Sequence, residues 1–538
     1  MVSLKTIRLI FELAEFILGS LFKHNHMKKT TLFLIALLPL FVAVAQKKNK
    51  TMEKIGNSIT AADLKKHLYI VASAENGGRD TPSPGLENAA NYIEDHFKSL
   101  GLKPGNGDSY RMPYPLYRDS VIGSSIKVNG KPYELNTDYQ NGNGNYTSEI
   151  PFSEAVFAGY GIVDDKLDSY KDIDVRGKAV IILEGAPGDY KPAETGLRSA
   201  SGTFGKLNAA SKKGAVAVLM ILKGFPRRSA VTQSNWGLNG YRSTINPQVF
   251  YISENIAADI MGEDGKRVFD KMTANSLTNK VYKADIDLSY KKITIKTEVS
   301  NVMGLLEGTD KKDEYVFITA HYDHVGKRDT VIFYGADDDG SGTVTVLELA
   351  EAFAKAKAGG KGPRRSIVFM TVSGEEHGLW GSAYYANHPV YPLEKTTVDL
   401  NIDMIGRIGN EYMQNVDSAN YIYIIGDNKL SSELTPITEN INNTYTKLKL
   451  DRKYNDPKDP NRFYYRSDHY NFAEKGVPII FYFNGVHPDY HRPTDTPDKI
   501  KYDLMEKRAK LVFYTALEMA NRDEMLKRDI PLDGQRAF

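Results

Sequence analysis

The chain has 538 residues, of which 41% are hydrophobic, so it exceeds one ordinary domain and we expect two folded units. It contains no cysteine, which excludes disulfides and lipid attachment through a leader cysteine. The formal net charge is +2 and becomes −1 when residues 1–45 are left out. This near-neutral balance gives no argument for nucleic-acid binding.

The first 45 residues have the features of an export signal. Lys28 and Lys29 precede an apolar run from Leu32 to Ala45, which is typical of a secretory signal peptide cleaved after Ala45. The apolar run is too short for a comfortable transmembrane span, so no stable membrane anchor is expected. The stretch before Met27 is either a membrane segment or a wrongly included upstream start, and the position of the signal favours Met27 as the true start. An exported protein without disulfides fits a periplasmic or secreted bacterial location.

Two helices are predicted before residue 101, over 61–71 with Thr60 as N-cap and from Gly85 to a stop at Gly101. The sequence then changes to short β-type runs separated by Gly, Asn and Asp, with one helix near 205–213. We interpret residues 126–292 as a β-rich insertion into a catalytic domain made of 46–125 and 293–525. Residues 526–538 are predicted to be a charged, solvated tail.

From Asn301 onward strands and helices alternate, which predicts an α/β fold. Buried strands are expected over 315–320, 366–372, 398–403, 421–425 and 478–483. Polar motifs follow several of these strands, at the positions where open α/β sheets place their sites.

Five side chains of metal-ligand type stand at or after these strand ends. Two imidazoles and three carboxylates suit a pair of divalent ions, and zinc accepts both ligand types while one carboxylate bridges the ions. Calcium or magnesium rarely recruits two histidines. The five candidates are His321, Asp338, Glu376, Asp403 and His491.

Two further carboxylates are candidates for supporting roles. Asp323 lies two residues after His321, so in extended backbone both leave the same face and Asp323 could orient the imidazole without binding metal. Glu375 and Glu376 are adjacent and should point apart, so one can face the metals while the other carries protons.

These motifs resemble those of the zinc-dependent aminopeptidases, in the clan that also holds glutamate carboxypeptidase, the transferrin receptor and glutaminyl cyclases. The resemblance rests on the motifs HYDHVG at His321, GADDDGSG at Gly335, SGEEHGLWGS at Ser373, NIDMIGR at Asn401, SDHYNF at Ser467 and DYHRPTDTPDKI at Asp489. It implies a mixed, mainly parallel central sheet with helices on both faces.

Carried over by position, the resemblance also implies roles for individual residues. His321 and Asp403 would serve one zinc ion and Glu376 and His491 the other, with Asp338 bridging them. Glu375 would be the general base, acting on a water that bridges the metals, and Tyr490 a possible oxyanion stabiliser. The peptide bond Asp338–Asp339 is expected to be cis, and Asp468 and His469 are expected to support the site without binding metal.

The inserted block is similar to the protease-associated domain that many members of this family carry. The similarity lies in 157–161, 174–182 and 209–217, and it implies a lid or binding role beside the substrate cleft.

The resulting hypothesis is an exported aminopeptidase with two Zn²⁺ per chain, acting on peptide substrates, of unknown oligomeric state. A carboxypeptidase or dipeptidase on the same scaffold is an alternative, in which Arg407 or Arg466 would bind a substrate carboxylate. A glutaminyl cyclase would normally use one zinc ion. A receptor-like binding protein would be expected to have lost ligands, and none is missing here.

Overall fold

The structure is a computed structural model, and it describes residues 49–196, 199–226, 232–241, 245–270, 277, 280–414 and 419–532. The predicted leader and signal segment, 1–45, lies outside these residues. From Lys50 onward the chain forms one compact unit. Within the described ranges, no helix combines the length and apolar character needed to span a membrane.

The strands are numbered in chain order. They are β1 (Lys103–Pro104), β2 (Arg111–Val128), β3 (Lys131–Tyr133), β4 (Tyr139–Asn141), β5 (Ser148–Phe157), β6 (Ala179–Leu183), β7 (Ala217–Ile221), β8 (Gln248–Ile252), β9 (Lys280–Leu306), β10 (Lys311–His321), β11 (Lys327–Arg328), β12 (Val331–Ile332), β13 (Arg365–Val372), β14 (Thr396–Ile402), β15 (Tyr421–Ile425), β16 (Lys449–Asp451) and β17 (Ile479–Phe483).

The α-helices are numbered in the same way. They are α1 (Lys50–Gly56), α2 (Ala61–Val71), α3 (Pro84–Ser99), α4 (Thr203–Lys212), α5 (Glu254–Met261), α6 (Glu263–Lys266), α7 (Gly342–Ala358), α8 (Trp380–Asn387), α9 (Leu434–Tyr445), α10 (His469–Glu474) and α11 (Tyr502–Asn521). As predicted, the Thr60 side chain caps α2 by accepting from the Asp63 backbone N–H.

The central sheet is mixed, as the sequence indicated. Strands β13, β10, β14 and β17 are adjacent and parallel, whereas β9 and β15 pair antiparallel to the two outer members of this group. The carboxyl ends of the four parallel strands therefore lie at one edge of the sheet. The expected α/β class is confirmed.

Both faces of this part of the sheet are covered by helices. Along β10, Val316 and Ile318 pack into the cluster that includes α2, α3, α7 and α11, whereas Phe317 packs with Tyr385 and Phe472 from α8 and α10. This alternation follows from the two-residue period of a strand. It explains why the strand reads as a continuous apolar run.

Strands β2 and β9 pair antiparallel over most of their length and continue from the central sheet into the β-rich block. In that block β5, β6, β7 and β8 are parallel, and their faces build two further hydrophobic clusters. The expected boundary at 125/126 falls inside β2, and the one at 292/293 falls inside β9. The division into a catalytic domain and a protease-associated insertion stays a prediction.

The described part of the expected solvated tail is partly packed. Leu526 is only 4% exposed and lies in the main hydrophobic cluster. Its backbone N–H donates to Thr397, and Arg528 donates to the carbonyls of Leu393 and Thr396. Arg528 is therefore held by the start of β14 and the segment before it, and a composition argument could not detect such partners.

Candidate metal centre

The carboxyl edge of the parallel strands gathers the polar motifs. His321 is the last residue of β10, Glu375 and Glu376 follow β13 after two residues, and Asp403 directly follows β14. Asp338 belongs to the turn Ala336–Ser341 that leads into α7. His491 arrives from the loop after β17 with a positive φ of 54°.

One half of the cluster is centred on His321. Its Nε2 lies 3.4 Å from Asp338 Oδ1, 3.6 Å from Asp403 Oδ1 and 3.9 Å from Glu375 Oε2. Burial opposes protonation of this imidazole, but the carboxylates of Glu375 and Asp403 raise the pKa of His321 well above its ordinary value. The carboxylates around His321 therefore favour a positive charge at its imidazole.

The other half is centred on His491 and Glu376. His491 Nε2 lies 3.0 Å from Asp338 Oδ2 and 3.0 Å from Glu376 Oε2. Asp338 thus presents one oxygen to each half. The two halves together contain all five predicted ligand residues.

His324 joins this second half, and the sequence reasoning did not select it. Its Nδ1 lies 2.7 Å from Glu376 Oε1 and 3.8 Å from Asp338 Oδ2, and the residue is fully buried. His324 stands in the same HYDHVG motif as His321, so a second histidine three residues after the first was the available signal.

The three successive aspartates of the turn point in different directions. Asp337 Oδ2 lies 3.1 Å from His487 Nε2, and Asp339 Oδ1 accepts from the backbone N–H groups of Gly342 and Met404. Asp338 alone faces the histidines of the cluster. The Asp338–Asp339 peptide bond is cis, as expected.

The donor set fits metal ions. Several buried polar atoms facing the cluster stand close together yet make no hydrogen bond with any described residue. They are His321 Nε2, His324 Nδ1 and Nε2, Asp338 Oδ2, Glu376 Oε1 and His491 Nε2. Buried carboxylates of like charge are costly unless a cation neutralises them, and imidazole with carboxylate is a donor set that zinc accepts. Two triads, His321–Glu375–Asp403 and His324–Asp338–Glu376, each have ligand atoms within 4.8 Å of one another.

The adjacent glutamates diverge as expected, but they lie in a turn after β13 and not in extended backbone, because the N–H groups of Gly378 and Leu379 donate to the Glu375 carbonyl. Glu376 faces His324 and His491, whereas Glu375 lies on the His321 side. Burial, opposed by His321, raises the pKa of Glu375 well above its ordinary value, while Glu376 keeps a lowered pKa because its histidine contacts outweigh its burial. The two carboxyls are thus biased toward different protonation states.

Asp323 supports His321 differently from the expectation. The atom at hydrogen-bond distance from His321 Nδ1 is the backbone carbonyl of Asp323, at 3.2 Å, whereas the carboxylate is 3.7 Å away. Asp323 Oδ1 instead accepts from the backbone N–H of Glu375 at 3.2 Å. The residue therefore connects the ends of β10 and β13.

Tyr490 and the SDHYNF motif border the cluster. The Tyr490 ring stacks on His491 with centroids 3.9 Å apart, and burial raises the pKa of its hydroxyl. Asp468 Oδ1 accepts from the Ser382 hydroxyl at 2.5 Å, and His469 Nε2 bonds the carbonyl of Tyr464 at 2.8 Å. Neither Asp468 nor His469 belongs to a described metal-type triad.

Arg79 is a second supporting residue that the sequence reasoning missed. It is fully buried, and its guanidinium donates to the backbone carbonyls of Val71, Tyr322, Tyr334 and Gly335 at 2.8–3.1 Å. It therefore fixes the segments that carry His321 and Asp338. An arginine in a turn-rich link gave no sign of this role.

A small pocket opens onto the cluster. Its acidic side consists of Asp338, Glu375 and Asp403. The rest of its lining is mainly apolar and aromatic and includes one cationic residue, Arg466. These residues are Met404, Phe463, Arg466, Phe481, Phe483, Val486 and Tyr490. Arg466 Nη2 lies 3.5 Å from the Tyr490 hydroxyl.

Comparison with known families gives a match over the part of the chain that holds this cluster. Residues 301–516 match the model described as Peptidase family M28. This range includes all five predicted ligands, Glu375 and Tyr490.

Several curated aminopeptidases are similar in sequence to part of this chain. A probable leucine aminopeptidase of Arthroderma otae is 28% identical over 310 residues, which cover 52% of this chain and 81% of that protein. A probable leucine aminopeptidase of Trichophyton verrucosum is 32% identical over 39% of this chain and 55% of that protein. Aminopeptidase YwaD of Bacillus subtilis is 25% identical over 44% and 49%. The match thus spans about half the length of the last two.

Solved structures are also similar. An aminopeptidase from an Aneurinibacillus species has a TM-score of 0.49 at 20% identity, covering 90% of this chain and 98% of that one. A zinc aminopeptidase from Bacillus subtilis has a TM-score of 0.48 at 20% identity, covering 88% and 99%.

Proposed function

We propose that this protein, whose residues 301–516 match the model described as Peptidase family M28, is an exported zinc aminopeptidase that uses two zinc ions to remove N-terminal residues from peptides. The observation that carries the proposal is Asp338, which presents one oxygen to His321 and the other to His491. This arrangement suits a carboxylate that bridges two metal ions.

The proposed ligands divide between the two ions by proximity. His321 and Asp403 would hold one ion, Glu376 and His491 the other, and Asp338 both. His324 would keep Glu376 in place through its Nδ1, because partners behind a ligand orient it and raise metal affinity. Zinc held by these residues would supply Lewis-acid chemistry for a peptide carbonyl and for water near neutral pH.

Glu375 is the proposed general base. It lies beside the cluster without being needed as a ligand, and its raised pKa suits a group that takes a proton from water and passes it to the leaving amine. Tyr490 is proposed to donate a hydrogen bond to the developing oxyanion, because its hydroxyl remains protonated and it lines the same pocket.

The pocket supports an N-terminal over a C-terminal substrate end. Because Asp338 and Asp403 are assigned to the metal ions, Glu375 is the lining carboxyl that remains to attract an α-ammonium group and repel a carboxylate. The aromatic side of the pocket, which includes Phe463, Phe481 and Phe483, favours an apolar first side chain.

A carboxypeptidase or dipeptidase remains the second candidate because of Arg466, which lies in the pocket. Arg407 supports this reading less, because it pairs with Asp489 at 2.7 Å and faces Asp495 at 3.6 Å. A glutaminyl cyclase with one zinc ion and a receptor-like protein without catalysis are less favoured, because the ligand set is complete.

The test is a panel of aminoacyl chromogenic substrates assayed beside their N-acetylated forms, with zinc measured on the same protein. We expect cleavage of free-amine substrates with apolar first residues, little cleavage of blocked ones, and two zinc ions per chain. Preferred cleavage of N-blocked peptides with a free C-terminal carboxylate would support the carboxypeptidase candidate instead. One zinc ion with ammonia release from N-terminal glutamine would indicate the cyclase.

Export is supported by the sequence of residues 28–45 alone. Its test is the mature N-terminus of protein recovered from the periplasm or culture medium, which we expect to begin after Ala45. Recovery of uncleaved protein only from the cytoplasm would contradict it.

A further inference from the structure

A second cluster of imidazoles and carboxylates lies among α2, α3 and α7. It contains His67 from α2, His96 from α3, and Glu348 and Glu351, which are one turn apart on α7. Glu351 is nine residues into a helix that begins after the Asp338 turn, which places it about 14 Å along the helix from that turn. The cluster is therefore separate from the catalytic centre.

The geometry of this cluster suits a metal ion. His67, His96 and Glu351 each offer a ligand atom within 4.8 Å of the others. The two imidazoles meet edge to face with centroids 4.7 Å apart. Ligand atoms on a tetrahedral zinc ion, with bonds of about 2.0–2.2 Å, stand about 3.3–3.5 Å apart, so a small adjustment of these side chains would enclose an ion.

Hydrogen bonding leaves this cluster incomplete. His96 Nε2 is buried and makes no hydrogen bond with any residue that the structure describes, whereas Glu348 Oε1 has His67 Nε2 3.3 Å away. Buried polar atoms normally have partners, so the unsatisfied Nε2 of His96 points to a missing one.

His67 is already oriented. Its Nδ1 lies 2.6 Å from the Tyr92 hydroxyl, which leaves Nε2 available, and that Nε2 lies 3.3 Å from Glu348 Oε1. A ligating histidine commonly has its other ring nitrogen held in this way.

The ordinary alternative is a network of ion pairs and hydrogen bonds without metal. Glu351 does pair with Lys355 one turn further on, but that lysine is half exposed, and such a pair contributes little. An ion-pair network would also leave His96 Nε2 unsatisfied. The alternative explains His67 but not His96.

We propose that His67, His96 and Glu351 bind one further divalent ion of the zinc class, with Glu348 beside it, and that this ion ties α2 and α3 to α7. The role is structural, because the cluster lies apart from the catalytic pocket. The proposal does not depend on the peptidase activity proposed above.

The test measures zinc in purified holoenzyme after equilibration with zinc ions and removal of unbound metal. His96→Gln and Glu351→Gln are compared with wild type and with His388→Gln, which alters an exposed histidine of another surface. We expect both cluster variants to hold one zinc equivalent fewer than wild type and the control, with a smaller rise in melting temperature when zinc is added. Peptidase activity should be unchanged.

Equal zinc content in all four folded proteins would overturn the proposal. Glu351→Gln keeps the test valid if His96→Gln does not fold, because the Glu351 side chain is 28% exposed. Glu376→Gln separates the two sites: it should lose metal from the catalytic centre and keep the ion on α7. If the proposed peptidase activity were wrong, the loss of zinc in His96→Gln and Glu351→Gln would still be expected.

Discussion

At the scale of single residues, the opposite orientations of Glu375 and Glu376 decide how the metal centre is arranged. Glu376 contacts His324 and His491, whereas Glu375 lies on the side of His321 and Asp403. The turn after β13 therefore directs two neighbouring carboxyls of the same chemistry toward different partners.

Substituting the two glutamates separately should separate catalysis from metal binding. Glu375→Gln is expected to keep the metal content and lose roughly 10²- to 10⁴-fold in kcat, because it removes proton transfer and no ligand. Glu376→Gln is expected to lose zinc affinity. Metal analysis and steady-state kinetics on both variants check this, and equal metal loss in the two would refute the division.

His469 provides a pH-dependent contribution to stability. It is fully buried, and burial lowers its pKa to about 3, opposed by its hydrogen bond to the Tyr464 carbonyl. Between the ordinary value near 6.5 and this lower value, the unfolded chain binds the proton and the folded chain does not. Folding stability is therefore lost as the pH falls through this window.

We expect His469→Gln to reduce the loss of stability between pH 7.5 and 5 by about 2 kcal/mol. Glutamine keeps a donor for Tyr464 but does not titrate. Urea unfolding of wild type and variant at the two pH values measures the difference in slope. Identical pH slopes would show that His469 does not titrate in this range.

At the scale of elements, the site depends on how separate segments are held together. The Arg79 guanidinium joins the end of α2 to the segments after β10 and before α7 through four backbone carbonyls. Asp495 adds a second link, because its Oδ2 accepts from the backbone N–H groups of Asp337 and Asp338. The turn that carries Asp338 is thus held by Arg79, which precedes it by more than 250 residues, and by Asp495, which follows it by more than 150 residues.

Arg79→Met is expected to destabilise the protein by about 3–5 kcal/mol, because it leaves several buried carbonyl groups unsatisfied. It should also weaken zinc binding, since His321 and Asp338 lose their common support. The matched control is Arg364→Met, whose guanidinium pairs with Asp310 and Asp523 at the surface, so its loss should destabilise the protein far less. Urea unfolding and zinc titration measure both effects, and equal losses in the two variants would contradict the role of Arg79.

At the scale of the whole molecule, the metal centre links β10, β13 and β14, the turn before α7 and the loop after β17. Its carboxylates, Asp338, Glu375, Glu376 and Asp403, are all largely buried, so a bound cation stabilises the folded chain and binds the unfolded chain weakly.

Chelation of zinc should therefore lower the melting temperature and abolish peptidase activity together. Restoring zinc should recover both, whereas magnesium should not, because the histidines disfavour it. Calorimetry and activity of the same chelated and reconstituted samples check this. An unchanged melting temperature after complete metal removal would contradict the stabilising role.

Much of the fold and the site could be predicted from the sequence. Apolar runs of five to seven residues located the strands of the central sheet, and polar motifs placed after them located the candidate ligands, because parallel strands bring their carboxyl ends together. Helix α2 was bounded correctly by its Thr60 cap, which depends only on local hydrogen bonding.

Other features depended on contacts between distant parts of the chain. Arg79, Asp495 and the partners of Leu526 act through residues far away in sequence, so no local pattern marks them. The continuity of β2 and β9 across the expected domain boundaries likewise depends on their pairing.

The sequence by itself determined the fold class and the chemical identity of the metal-type residues, because strand periodicity and ligand type are properties of short segments. Only the tertiary structure decided which way each carboxylate faces. It turned Asp338 toward the histidines of the cluster and its two neighbours toward other buried partners, placed His324 beside Glu376, and brought His67 and His96 to Glu351. Those choices follow from packing and from hydrogen bonds to distant backbone groups, which the order of residues does not reveal.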